Sequence, residues 1–204
     1  MASYPATFDI SQPERFDRMH VAIRVLILII LSILGGALGW VWGLLWLAVP
    51  VVAAILISQK GAERYHAEAP DTMTKWLRWI VGAYAYLLLL TDKLPNEDQG
   101  DLRFDVRPTG TPSVGQTLLR IILVIPHMIV LALLGIVAGI LAIIAAVMIL
   151  VQETYPAGIY GFLRGWIRWH ARVLAYLASL VDEYPPFAFD TGHESPEAPP
   201  VTVS

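Results

Sequence analysis

The chain has no cysteine and little charge. No disulfide, iron–sulfur cluster or thiol nucleophile can be built from it. Charged residues make up 15% of the 204 positions, where a soluble globular chain carries about 25%. Neither sign dominates: 14 Lys and Arg stand against 17 Asp and Glu, for a net charge of −3. A broad basic surface of the kind nucleic acid requires is therefore excluded. A secretory leader is not expected either. The opening MASYPATFDISQPERFD carries charges and two prolines, and no small-residue cleavage site follows a short apolar core. No Ser/His/Asp set, phosphate-binding glycine loop, acid pair or metal-spaced ligand cluster occurs, so the expectation is a non-enzyme with no resident cofactor.

What is present is hydrophobic. The apolar fraction is 56% and the mean hydropathy +0.61, which points to an integral membrane protein. No charge occurs between Arg24 and Lys60. That stretch is too long for one span of about 20 residues and close to enough for two. Gly35, Gly36 and Gly39 predict a turn between helices at 19–35 and 39–58, with Trp40, Trp42 and Trp46 in an interfacial aromatic belt. A second uncharged run, Ile121 to Val151, is interrupted only by His127. Gly135 and Gly139 predict its turn, between helices at 114–134 and 137–152.

One stretch occurs twice. Lys75 to Pro95 matches Gly165 to Pro185 at a constant offset (166 − 76 = 90): Trp76/Trp166, Trp79/Trp169, Tyr86/Tyr176, Asp92/Asp182, Pro95/Pro185. Phe8-Asp9-Ile10 likewise matches Phe104-Asp105-Val106, and Arg24 matches Arg120 (120 − 24 = 96). The expected fold is an all-α membrane protein of two tandem repeats. Each is a transmembrane helical hairpin plus an amphipathic interfacial helix, with short extended segments at the cytoplasmic surface. The first repeat covers 1–97, with its hairpin at 19–58 and interfacial helix at 72–92 behind a polar loop capped by Ala69-Pro70-Asp71-Thr72. The second covers 98–189, with its hairpin at 114–152 and interfacial helix at 158–182. Residues 190–204, rich in Pro and Glu, form an expected disordered tail.

The repeated helix is expected to lie on the membrane rather than cross it. Arg164, Arg168 and Arg172 recur at i, i+4 and i+8, and each would cost roughly 2.5–3.5 kcal/mol at the bilayer centre. Trp76, Trp79, Trp166 and Trp169 mark the opposite, lipid-facing stripe. With two spans per repeat all 14 Lys and Arg fall on one side. The positive-inside rule then puts both termini in the cytoplasm of a bacterial inner membrane. Two topologies stay open: three spans per repeat, and re-entrant hairpins that never reach the far side.

The motifs also resemble a family. Tyr4-Pro5, Phe8-Asp9-Ile10, Pro13-Glu14-Arg15, Ile125-Pro126-His127, Tyr155-Pro156-Ala157-Gly158, Arg168-Trp169, Arg172, Ala175-Tyr176 and Asp182-Glu183-Tyr184-Pro185-Pro186-Phe187 are similar to the bacterial membrane proteins of the domain of unknown function 4389 family. The first repeat departs from the pattern: it has no Pro-His, and Asp92-Lys93-Leu94-Pro95 replaces Asp-Glu-Tyr-Pro. The resemblance implies a membrane fold and carries no activity.

Four constellations are candidates. His127 is either a ligand for a metal, haem or pigment, or a histidine satisfied inside the bundle; Leu31 occupies its place in the first repeat. Arg24 and Arg120 either snorkel to headgroups or pair with Asp92 and Asp182. Arg164, Arg168 and Arg172 face either anionic lipid or protein. Small residues at Gly36, Gly39, Gly135 and Gly139 permit close helix contact. The functional expectation is an accessory or scaffold subunit that packs against a larger membrane complex or organises lipid. A small carrier or channel, and a cofactor-binding protein using His127, are the alternatives.

Overall fold

The computed structural model describes residues 4–13, 17–33, 35–93 and 102–191, with backbone alone over 28–33 and 35–45. Among the described residues the fold is mostly helical, with six helices. In chain order the elements are β1 (Ala6–Ile10), α1 (Arg18–Ile33), α2 (Gly35–Lys60), α3 (Ala62–Leu87), β2 (Leu102–Val106), α4 (Val114–Leu123), α5 (Ile125–Gln152) and α6 (Ala157–Leu177). Of the residues singled out above, Glu14, Arg15, Leu94 and Pro95 lie outside the described residues, as do the side chains of Leu31, Trp40 and Trp42.

The second expected hairpin is corrected. Its break falls at Val124, not at Gly135–Gly139, which sit inside a continuous α5 of 28 residues. The cause is Pro126. It has no N–H to give the preceding turn, so α4 ends before it and α5 opens on it. The glycines do not break α5 because aliphatic residues on both sides keep it helical, and Gly135 sits against the Trp166 ring. In the first half α2 likewise begins at Gly35, with Gly36 and Gly39 inside it.

The first repeated helix also starts earlier than expected. Gly61, at φ 79, ends α2, and α3 runs from Ala62 through Pro70 to Leu87. Residues 62–69 are good helix formers, and Tyr65 anchors them by donating to the Ala178 carbonyl. One bond lost at Pro70 does not outweigh this.

The strands pair antiparallel about Phe8 and Phe104, which face each other in register, with Asp9 opposite Arg103. Each strand packs on a helix from the other half of the chain: β1 on α6 and β2 on α3. The apolar helices interleave in the same sense, α1 against α5 and α2 against α4. Neither half therefore has a separate core.

The ends of α3 and α6 are built alike. Leu89 N donates to Tyr86 O (3.2 Å) and Leu90 N to Ala85 O (2.8 Å); Ser179 N donates to Tyr176 O (2.9 Å) and Leu180 N to Ala175 O (3.1 Å). Both are Schellman turns. Leu89 at φ 63 and Ser179 at φ 52 hold the left-handed position that usually goes to glycine.

Candidate functional site

The two arginines explain how those turns are held. Arg24 and Arg120 lie in the first half of α1 and in α4, and both are buried. They do not snorkel to a surface. Arg24 Nη1 donates to the carbonyls of Tyr86 (3.3 Å) and Thr91 (2.7 Å), and its Nη2 to Asp92 Oδ1 (2.6 Å). Arg120 Nη1 donates to the carbonyls of Tyr176 (2.7 Å) and Val181 (2.5 Å), and its Nη2 to Asp182 Oδ1 (2.6 Å). Each guanidinium lies over a tyrosine ring, Tyr86 at 4.0 Å and Tyr176 at 4.4 Å. A helix C-terminus exposes unpaired carbonyls and partial negative charge, and Asp92 and Asp182 add to it. A cation clamped there answers both. Gly110, at φ 73, lets the chain leaving β2 pass against Asp182: a Cβ on Gly110 would stand 2.6 Å from that of Asp182.

Of the two faces open to the basic stripe of α6, Arg168 and Arg172 take the internal one, while Arg164 stays part-exposed. Every residue from Gly165 to Leu177 is buried. Arg168 Nη2 meets Asp9 Oδ1 (2.5 Å), its Nη1 meets Asp190 Oδ2 (3.1 Å), and its Nε donates to Phe8 O (3.0 Å). Arg164 lies 3.7 Å from Asp9. Arg172 donates to Ala188 O. These partners leave Arg168 and Arg172 no path to a lipid headgroup.

The segment 183–190 supplies much of that cover, as a strap laid across α6. Tyr184 donates to Leu123 O (2.9 Å), at the break before Pro126. Phe189 seats on Gly165, where a Cβ would come within 2.7 Å of the Phe189 Cβ. Asp190, the expected first residue of the disordered tail, is instead tied to Arg168; residues 192–204 lie outside the described ones. The Asp-Glu-Tyr-Pro-Pro-Phe motif is the sequence signal for this strap, and spacing alone does not reveal its contacts.

His127 is fully buried beneath the strap. Its Nδ1 accepts from Trp169 Nε1 (3.0 Å), and its ring stacks on Phe187 at 4.0 Å and lies 4.8 Å from Tyr184. Nε2 has no partner among the described residues. Aromatic rings therefore occupy the space around the imidazole. Among the described residues no group of three or more His, Asp or Glu is placed to hold a metal.

The tryptophans divide. Trp166 and Trp169 are buried, Trp166 donating to Leu131 O (3.2 Å). Trp76 and Trp79, at the same offset in α3, are exposed.

His170 sits among Trp166, Trp46 and Tyr84, with Nδ1 2.9 Å from Trp166 O. Burial pushes its pKa down from 6.5 to about 4, against the pull of that carbonyl. The unfolded chain takes the proton near pH 6.5 and the folded chain only near 4. Stability is thus full above about pH 6.5, falls through that window, and is lowest below 4, a loss of order 3 kcal/mol. Thermal melts at pH 7 and 5 are expected to show a lower Tm at pH 5, and His170→Phe to shrink the difference; an unchanged difference contradicts the assignment.

Comparison with known proteins agrees with the motif reading: residues 115–188 match the family model described as "Domain of unknown function (DUF4389)". No curated protein and no solved structure matches the chain.

Proposed function

We propose that this chain, whose residues 115–188 carry the DUF4389 domain, is a non-catalytic integral membrane subunit. It packs its apolar helices against a larger membrane complex and the surrounding lipid. The observation that carries the reading is the outer face of α5. Ile125, Ile129, Leu133, Ile136, Ile140, Ile143, Val147 and Val151 are all exposed, at steps of three and four along the whole helix. A face of this size on a soluble monomer would be far outside the usual few hundred Å². At about 1.5 Å per residue, the 28 residues of α5 reach about 42 Å, longer than the roughly 30 Å hydrocarbon core.

The chain arose by duplication on this reading. The matched Arg–Asp clamps, the matched Schellman turns and the pairing of Phe8 with Phe104 support it. The two copies interlock through exchanged strands and insert from the cytoplasmic face of a bacterial inner membrane. The outer ends of the apolar helices meet in pairs, which suits insertion from one side: Arg18, opening α1, donates to Val151 O near the end of α5, and Val114, opening α4, lies beside Ser58 and Gln59 of α2. At ten residues, about 15 Å, α4 is too short to cross by itself, so among the described residues α5 is the span this reading rests on.

Non-catalytic action is supported by how the buried polar groups are spent. Arg24, Arg120, Arg168 and Arg172 all bind the chain's own carbonyls or carboxylates. A second reading, cofactor binding at His127, rests on its Nε2, which has no partner among the described residues; it predicts colour or bound metal in the purified protein.

The test is extraction from native membranes in mild detergent. The accessory reading expects stoichiometric comigration with a larger complex. Migration alone, even after prior crosslinking, would overturn it.

A further inference from the structure

The two halves differ at one matched place. In α6, Gly165, Trp166 and Trp169 lie under cover: Phe189 seats on Gly165, and the Trp169 ring is 5.5 Å from Phe187. In α3 the matched residues are Lys75, Trp76 and Trp79. A side chain at the Gly165 position collides with a strap seated as Phe189 is, and Lys75 brings one. The sequence after Asp92 also lacks the aromatics, with Glu97 and Gln99 where the second half has Phe187 and Phe189. The first half therefore lacks both the rings of such a strap and the glycine that seats it. Trp76 is 67% exposed and Trp79 48%, around a shallow depression of about 420 Å³ formed with Lys75.

We propose that this face of α3 is a membrane anchor that sits in the headgroup layer of an anionic leaflet. The proposal rests on the membrane reading above and adds where, and to which lipid, the cytoplasmic side of the protein binds. Indole rings with an apolar body and one N–H favour the bilayer interface over water or hydrocarbon. Lysine adjacent to them is drawn to anionic lipid. Two further cations lie at hand: Arg78, one turn on, which also holds Leu102 O (3.1 Å), and exposed Arg103 on β2, against which α3 packs. Asp71, one turn before Lys75, is the acid nearest in sequence on this face, while Glu68 is tied to Lys60 at 2.7 Å. Lys75 and the two tryptophans thus meet the bilayer at the C-terminal end of the exposed face, and Asp105 shares the exposed face of β2 with Arg103. Divergence between the halves gives one helix to the interior and the other to the membrane surface.

The lack of cysteine makes the test clean. Single nitroxide labels are placed at Thr72→Cys, on the same exposed face of α3, and at Ile140→Cys on the outer face of α5. The full chain is reconstituted in nanodiscs of phosphatidylcholine with or without phosphatidylglycerol. Collision with oxygen and with a water-soluble nickel chelate then reports depth. The Ile140 label is expected in hydrocarbon in both lipids. The Thr72 label is expected at interface depth, with nickel access falling severalfold when phosphatidylglycerol is present. Lys75→Glu should abolish the lipid dependence, and Trp76→Ala with Trp79→Ala should return the label to water-like access. Any other reading at Thr72, with Ile140 in hydrocarbon, overturns the anchor and leaves the membrane reading standing. A water-exposed Ile140 label overturns both.

Discussion

Arg120→Ala is expected to lower stability by about 3–5 kcal/mol, and Arg24→Ala by a similar amount, since each strands buried partners. Asp182→Asn is expected to cost under about 1 kcal/mol, as exposed ion pairs do. The asymmetry follows from burial. Arg120 is 4% exposed but the Asp182 side chain 57%, so water already serves the carboxylate. The arginine also binds two carbonyls at the C-terminal end of α6. Its loss strips them of their charged donor around Ser179, which is in the left-handed conformation. In the first half Asp92 is 24% exposed, so Asp92→Asn should cost more than Asp182→Asn and still less than Arg24→Ala. Denaturation followed by tryptophan fluorescence in micelles reads these differences. Equal losses for arginine and aspartate would mean that the ion pair, and not the carbonyl clamp, carries the stability.

Ending the chain after Glu183 is expected to have the next largest effect, with little folded protein recovered. The deletion removes the Tyr184 bond to Leu123, the Ala188 carbonyl that Arg172 binds, the Asp190 partner of Arg168, and the rings over His127 and Gly165. Arg172 is fully buried, and uncovering a buried charge costs about 3–5 kcal/mol by itself. That is a large share of the roughly 5–15 kcal/mol that holds a typical domain. Ending the chain after Thr191 should leave the fold intact. Gly165→Val makes the same point without deleting anything, because its side chain would meet Phe189. Size-exclusion profile and resistance to trypsin distinguish the outcomes. A well-folded protein lacking 184–204 would show that the strap is dispensable.

Much of this is legible in the residues, for physical reasons that can be named. Tyr86/Tyr176 and Asp92/Asp182 recur because two helix ends need the same clamp, and the unfavourable placement of aspartate at a helix C-terminus calls for a cation. Phe-Asp segments in both halves foretell the strands that pair in register. The burial of Arg168 is not legible. A basic stripe bound by protein and one facing lipid have the same spacing, and its partner Asp9 comes from a strand at the other end of the chain. The break at Val124 escapes a reading by glycine, because in a long aliphatic helix flanking residues keep glycine helical and proline decides. The start of α3 is hidden because residues 59–71 are polar, and what fixes them is a distant bond from Tyr65 to Ala178.

The most direct measurement places a photo-crosslinking residue at Ile140 on α5, in the cells' own membranes. If the chain is an accessory subunit packed through that face, one discrete adduct with another membrane protein should form, and the same label at exposed Thr72 should not give it. Adducts to lipid alone from every outward position of α5 would contradict the account.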